Sequence, residues 1–157
     1  STLIKPMVER MRPSNIDNPI SPMVHIVSNY RGGKYGFPSS HAANAWGMAF
    51  FAMYLTRNRK LNLFLLAWAL VMAYSRIYMG VHYPGDILIG TFFGALFATL
   101  CYYLLALADP QGIQKWKAQD RLLLQGWLPI TAGSISILCM LIAAAYMAAT
   151  QPDLFIR

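Results

Sequence analysis

The 157-residue chain is 57% hydrophobic and only 12% charged, against roughly 25% charged residues in an ordinary soluble domain, and its mean hydropathy is +0.41. That length allows one domain and excludes a large multidomain protein. The net charge of +7 is scattered over short links and motifs with no basic tail, which argues against a nucleic-acid partner.

In chain order, residues 1–13 carry Lys5 and Arg12 and end on Pro13. They show no signal-peptide pattern and read as the end of a helix whose body lies upstream, so further N-terminal helices are expected. Residues 14–37 hold Pro19, Pro22, Gly32, Gly33 and Gly36 among several asparagines. That mixture predicts a long loop with one short helix, of the kind often given over to function. Four apolar runs follow, over residues 40–56, 61–80, 84–108 and 128–149. Each approaches or exceeds the ~20 residues that carry a helix across ~30 Å of hydrocarbon, and a soluble bundle would need more polar surface than remains. The expected fold is all-α, a polytopic transmembrane bundle with four spans. It forms one membrane-embedded domain over 1–157, with the chemistry in 5–86 and an additional loop and span over 109–149. Cys101 and Cys139 fall inside apolar runs and read as packing or lipid-facing residues, not as a disulfide.

Arg57, Arg59 and Lys60 join the first two runs, and Lys115, Lys117 and Arg121 lie between the last two. An even number of crossings separates these links, so the positive-inside rule puts both in the cytoplasm and the motifs at the outer ends of the helices.

Those motifs are K-x6-R-P over Lys5–Pro13, P-S-S-H over Pro38–His41 and S-R-x5-H-x3-D over Ser75–Asp86. Ionisable groups in so apolar a chain are costly and mark function. His41 precedes the end of its run by about fifteen residues and Arg76 follows the start of its own by about fifteen, roughly 22 Å each, which sets the two at one depth. Gly80 permits a turn, and Pro84 suits the first turn of the next helix. His82 and Asp86, four residues apart, share a helix face. The carboxylate there can accept one ring N–H and leave the other nitrogen free to attack. Ser39 and Ser40 offer an N-cap and backbone amides that favour an anion. Lys5, Arg12 and Arg76 add positive charge, the arginines in a forked geometry. Such groups can transfer phosphate from a monoester or diphosphate without a cofactor. His82 attacks phosphorus in line, His41 protonates the leaving oxygen and then activates water, and the cations hold the equatorial oxygens.

Blander readings stand beside these. His82 with Asp86 has the spacing of a metal pair, but its neighbours are cationic and carboxylates are scarce, so no metal is expected. Arg12 alone would read as a snorkelling anchor. His25 has no partner at motif spacing and reads as structural. Arg31, Lys34 and Tyr35 either touch a lipid head group or form an ordinary solvated interface. Gly90 and Gly94 suit helix packing within the bundle, and Trp46, Trp68, Trp116 and Trp127 suit packing and interfacial anchoring.

Taken in order, the three motifs resemble the signature of the type-2 phosphatidic acid phosphatase superfamily, which also includes vanadium haloperoxidases and glucose-6-phosphatase. The likeness covers residues 5–86. It implies phosphate binding by Lys5, Arg12, Ser39, Ser40 and Arg76, acid–base work by His41, nucleophilic attack by His82 through a phosphohistidine, and orientation by Asp86. Ser40 stands where the family usually has glycine, a mild departure because serine keeps the backbone N–H. Membrane members typically have six helices, two or three of them before the first motif. The implied activity is metal-independent hydrolysis of a membrane lipid phosphate or diphosphate. Candidate substrates are a lipid A phosphate, undecaprenyl diphosphate and phosphatidylglycerophosphate. A phosphotransferase or head-group transferase using the same site is one alternative, and a non-catalytic lipid-phosphate carrier is another. The partners expected are the lipid substrate and the bilayer, with the chain in a bacterial inner membrane and its site facing the periplasm or the outside.

Overall fold

The computed structural model describes residues 3–56 and 58–123, together with Ser134 and Leu138. The apolar run at 128–149 as a whole, Arg57, Trp127 and Cys139, and the side chains of Trp116 and Arg121, lie outside what is described. Five helices appear in order: α1 (Ile4–Val8), α2 (Ser40–Leu55), α3 (Arg59–Tyr78), α4 (Pro84–Ala108) and α5 (Pro110–Leu123). The loop over 14–37 forms two 3-10 turns, Ser21–Met23 and Val27–Asn29, in place of one short helix.

Helices α2 and α3 start on a residue that satisfies orphan amides, and α4 is closed by a residue of its own first turn. Ser39 Oγ accepts from the Ala42 amide at 3.3 Å, and Asn58 Oδ1 accepts from the Lys60 and Leu61 amides at 3.0 and 3.2 Å. Asp86 Oδ2 accepts from the Tyr83 amide at 2.9 Å. Pro84 and Pro110 occupy first helical positions, where a missing N–H costs nothing. Helix α1 stops after five residues because Glu9 turns left-handed, with φ 52°. The chain beyond it runs extended, and Met11 bridges to Tyr35.

Helix α2 packs on α3 and, more extensively, on α4. The α2–α3 seam is made of alanines, with Ala45 and Ala49 against Ala69. On the α2–α4 seam a Cβ at Gly90 would stand 2.6 Å from Ser39 O, and one at Gly94 would stand 2.5 Å from Ala43 O. Both glycines are therefore set by close backbone approach. Bulky side chains point the other way: Leu63, Leu70, Val71 and Tyr74 on α3 and Phe92, Phe97, Tyr103 and Leu107 on α4 are exposed. Small residues inside and large apolar ones outside is the pattern of helices packed in lipid. Helices α3 and α4 are long and apolar enough to cross a membrane. Helix α2, with 16 residues, is shorter than the ~20 of a full span, so of the three expected spans that fall within the described residues two reach full length.

Gly94→Val should separate α2 from α4, since the new Cβ meets backbone rather than a flexible side chain. We expect a loss of about 1–3 kcal/mol, read as a lower thermal unfolding temperature, with a smaller loss for Gly94→Ala.

Candidate active site

Three helix ends meet at one place: the start of α2, the end of α3 and the start of α4. The segment from α1 to Gly36 lies across them. Gly80, at φ +66°, turns the chain out of α3, and Val81, His82 and Tyr83 lead into α4. His82 is 3% exposed and Asp86 fully buried. His82 Nδ1 faces Asp86 Oδ2 at 3.4 Å, and its Nε2 faces Arg12 Nη1 at 3.2 Å. A guanidinium can only donate, so Nε2 presents its lone pair and the proton falls to Nδ1, which approaches the carboxylate at ion-pair distance but outside hydrogen-bond geometry. Arg12 Nη1 also donates to Val81 O at 3.0 Å, which ties the first motif to the third.

The backbone links the second motif to the third as well, through the Ser39 amide, which donates to Asp86 O at 3.1 Å. Ser39 is fully buried, and both its amide and its hydroxyl oxygen are engaged. It therefore serves the seam and the cap, and only its O–H proton is left for a ligand. Ser40 and the exposed His41 form the first turn of α2, whose amides lack intrahelical partners and favour an anion. Arg76, Lys5, Arg12 and His82 all lie within electrostatic reach of His41. Arg76 is half-buried, with its Nε donating to Ser75 Oγ at 3.2 Å.

Burial sets the charge states. It lowers the His82 pKa below the ordinary histidine value, more than the bond to Asp86 raises it, and Arg12 and Lys5 push the same way. The ring is therefore neutral near pH 7. Burial and repulsion from Arg12 lower the Lys5 pKa, with Asp86 opposing. Burial likewise lowers that of Arg12, which still stays cationic because guanidinium begins so high.

The three suspected head-group contacts separate. Arg31 is committed to its own loop, with Nη1 donating to Ser14 O and Ser21 Oγ, both at 2.9 Å. Lys34 is exposed and lies 5.6 Å over the Tyr35 ring. His25 packs its ring 6.1 Å from that of Tyr78.

Sequence reasoning missed three residues. Arg10 Nη1 pairs with Asp86 Oδ1 at 3.2 Å. Asn18 donates to Arg12 O at 2.9 Å and to Tyr83 Oη at 3.0 Å. A Cβ at Gly36 would stand 3.2 Å from Arg12 Cγ and 3.3 Å from Asp86 Oδ2, so a side chain where the loop crosses the His–Asp pair would crowd both. The turn composition hinted at Gly36; Arg10 lies in the unspecified stretch of its motif and gave no signal.

The fold and this centre define an all-α chain whose helix ends bring together a cationic, histidine-bearing cluster around one buried carboxylate. The chain belongs to the PAP2 superfamily, whose family model matches residues 1–109 and so includes every residue of the centre. It is 45% identical over 104 residues to a lipid A 4'-phosphatase of Bacteroides thetaiotaomicron, a match covering 66% of this chain and 46% of that protein. It is 38% identical over 108 residues to a lipid A 4'-phosphatase of Porphyromonas gingivalis, covering 68% of this chain and 45% of that protein. The chain thus spans about half the length of these relatives. No solved structure matches.

Proposed function

We propose that the chain carries the catalytic centre of a membrane lipid phosphatase that removes a phosphate monoester from lipid A, through a phosphohistidine on His82. The observation that carries this reading is the polarised ring of His82: one nitrogen on a buried carboxylate, the other on a guanidinium that phosphate oxygens can claim. Arg12 has donors to offer, because its buried Nε has no hydrogen-bond partner among the described residues.

In the first half-reaction the phosphate enters among Arg12, Arg76, Lys5 and the first amides of α2. Arg12 turns its donors to the phosphate oxygens and releases Nε2 of His82. That lone pair forms the N–P bond in line as the P–O bond to the sugar breaks, and His41 gives its proton to the leaving oxygen. Asp86 balances the positive charge that grows on the ring. In the second half His41 takes a proton from water, the hydroxide oxygen bonds phosphorus, the N–P bond breaks, and inorganic phosphate leaves with His82 neutral again. The cations stabilise the equatorial oxygens in both transition states.

The surroundings suit a lipid. Bulky apolar faces of α3 and α4 would meet acyl chains, and the pocket lies at the ends of those helices, where a head group sits. The basic residues Arg59, Lys60, Lys115 and Lys117 lie toward the opposite ends, so the positive-inside rule turns the pocket outward. We read the described residues as one membrane-embedded unit with its site facing the periplasm. The two lipid A 4'-phosphatases favour lipid A over undecaprenyl diphosphate and phosphatidylglycerophosphate.

Phosphate release from those three lipids, with and without chelator and vanadate, tests the reading. We expect fastest release from lipid A, no loss with chelator, and inhibition by vanadate, which mimics five-coordinate phosphorus. Loss of activity with chelator would sink the metal-free mechanism. Release only when an acceptor alcohol is added would identify a transferase.

A further inference from the structure

Arg10 stands outside the catalytic scheme, yet it is held with unusual care. Its carbonyl accepts from the Gly36 amide at 2.9 Å, and two residues on the Arg12 amide donates to Lys34 O at 3.2 Å. Those bonds fix the backbone on which the side chain stands. Its guanidinium carbon lies 4.5 Å over the Tyr83 ring and 6.0 Å from that of Phe37. From this seat Nη1 reaches Asp86 Oδ1 at 3.2 Å. The carboxylate is thereby divided: Oδ2 serves the Tyr83 amide and the His82 ring, and Oδ1 serves Arg10. The Arg10 contact is an ion pair that falls short of hydrogen-bond geometry; a cation on that oxygen opposes rotation of the carboxylate away from the histidine and weakens the negative charge that the ring feels.

We propose that Arg10 is a positioning residue of the proposed phosphatase reaction: it orients Asp86 and sets the protonation of His82 through it, without touching the substrate. This rests on the reading of His82 as nucleophile. The charged groups facing His82 are Asp86 from α4, Arg12 and Lys5 from the N-terminal segment, and His41 from α2, with Arg76 of α3 behind His41. Arg10 differs from Arg12 and Lys5 in acting on the ring by way of the carboxylate. Removing it leaves the His82 ring as the nearest ionisable partner of the Asp86 carboxylate. The protonated ring is then favoured, and the nucleophile is lost at higher pH.

The test is the pH–rate profile of the full chain in lipid nanodiscs, with phosphate release from lipid A and from phosphatidic acid, in Arg10→Met, Arg10→Lys, Asp86→Asn and the double variant Arg10→Met/Asp86→Asn. In Arg10→Met the acid limb should move up by about one pH unit. Turnover on that limb then falls about tenfold, with KM unchanged. Arg10→Lys should shift the limb less, and Arg10→Met should shift nothing further once Asp86 is Asn. A limb at the wild-type position in both Arg10 variants overturns the proposal, and so does a raised KM without a shift, which would make Arg10 a substrate contact. Should Arg10→Met fail to fold, Arg10→Lys decides alone. Full activity in His82→Ala would instead overturn the underlying reading of the site.

Discussion

His82→Ala should release phosphate roughly 10³-fold more slowly than the parent protein, or worse, with its helical fold retained. The ring is the only group in the centre that combines burial, an oriented proton on Nδ1 and a lone pair on Nε2. Neither Arg12 nor Lys5 can take its place, because one never gives up its charge and the other sits in a cationic field that its own proton helps to create. Residual turnover would come from the charges that stabilise the transition state without a covalent step. Phosphate release from lipid A, beside thermal unfolding of the same preparation, checks this, and wild-type rates in a folded variant would remove His82 from the mechanism. The same ring sets a pH dependence. Burial lowers its pKa, so the neutral, attacking form persists as pH falls through the ordinary histidine value near 6.5. Activity should begin to fail only below that value, as the ring protonates.

Asp86→Asn should cost about 10²–10⁴-fold in kcat and leave KM much less affected. Three groups depend on that carboxylate: the His82 ring, the Tyr83 amide that opens α4, and Arg10. Asparagine can still accept from the Tyr83 amide, so α4 should keep its start. It cannot balance a positive charge on His82. Loss of the bond and of the charge removes both influences by which Asp86 raises the His82 pKa. The acid limb should therefore move to lower pH even as the maximum rate falls, opposite in sign to the shift expected for Arg10→Met. Two neighbouring variants that move one limb in opposite directions are hard to attribute to general loss of structure. Equal limbs in both would mean that the carboxylate does not govern the histidine.

Much of the frame was legible in the sequence because hydrophobic run length and motif spacing are local quantities. The third run, read as 84–108, is the helix Pro84–Ala108, since Pro84 and the Asp109–Pro110 pair punctuate it sharply. Counting along two runs set His41 and Arg76 at one depth, and the structure places them within electrostatic reach of each other. The first run, read as 40–56, is the helix Ser40–Leu55; Thr56 and Asn58 turn the chain before the length of a full span is reached.

Side-chain partnership was far less legible. Serine at a helix start has two uses, cap and anion contact, and the sequence offered both for Ser39; the structure shows the cap bond to the Ala42 amide. Arg31 was open between a head-group contact and an ordinary solvated interface, and the sequence did not show that Ser14 and Ser21 hold its guanidinium.

By itself the sequence determined an all-α, membrane-suited chain and the order of its three motifs, since apolar periodicity and helical rise act along the chain. Only the tertiary structure decided how the pocket is wired: Arg12 on Nε2 of His82, Asp86 shared between His82 and Arg10, and Gly36 crossing above them. Those contacts join residues up to 76 positions apart, from Arg10 to Asp86. They depend on glycine seams that let α2 and α4 touch and on a loop that folds back over the helix ends, and no local pattern in the sequence encodes such distances.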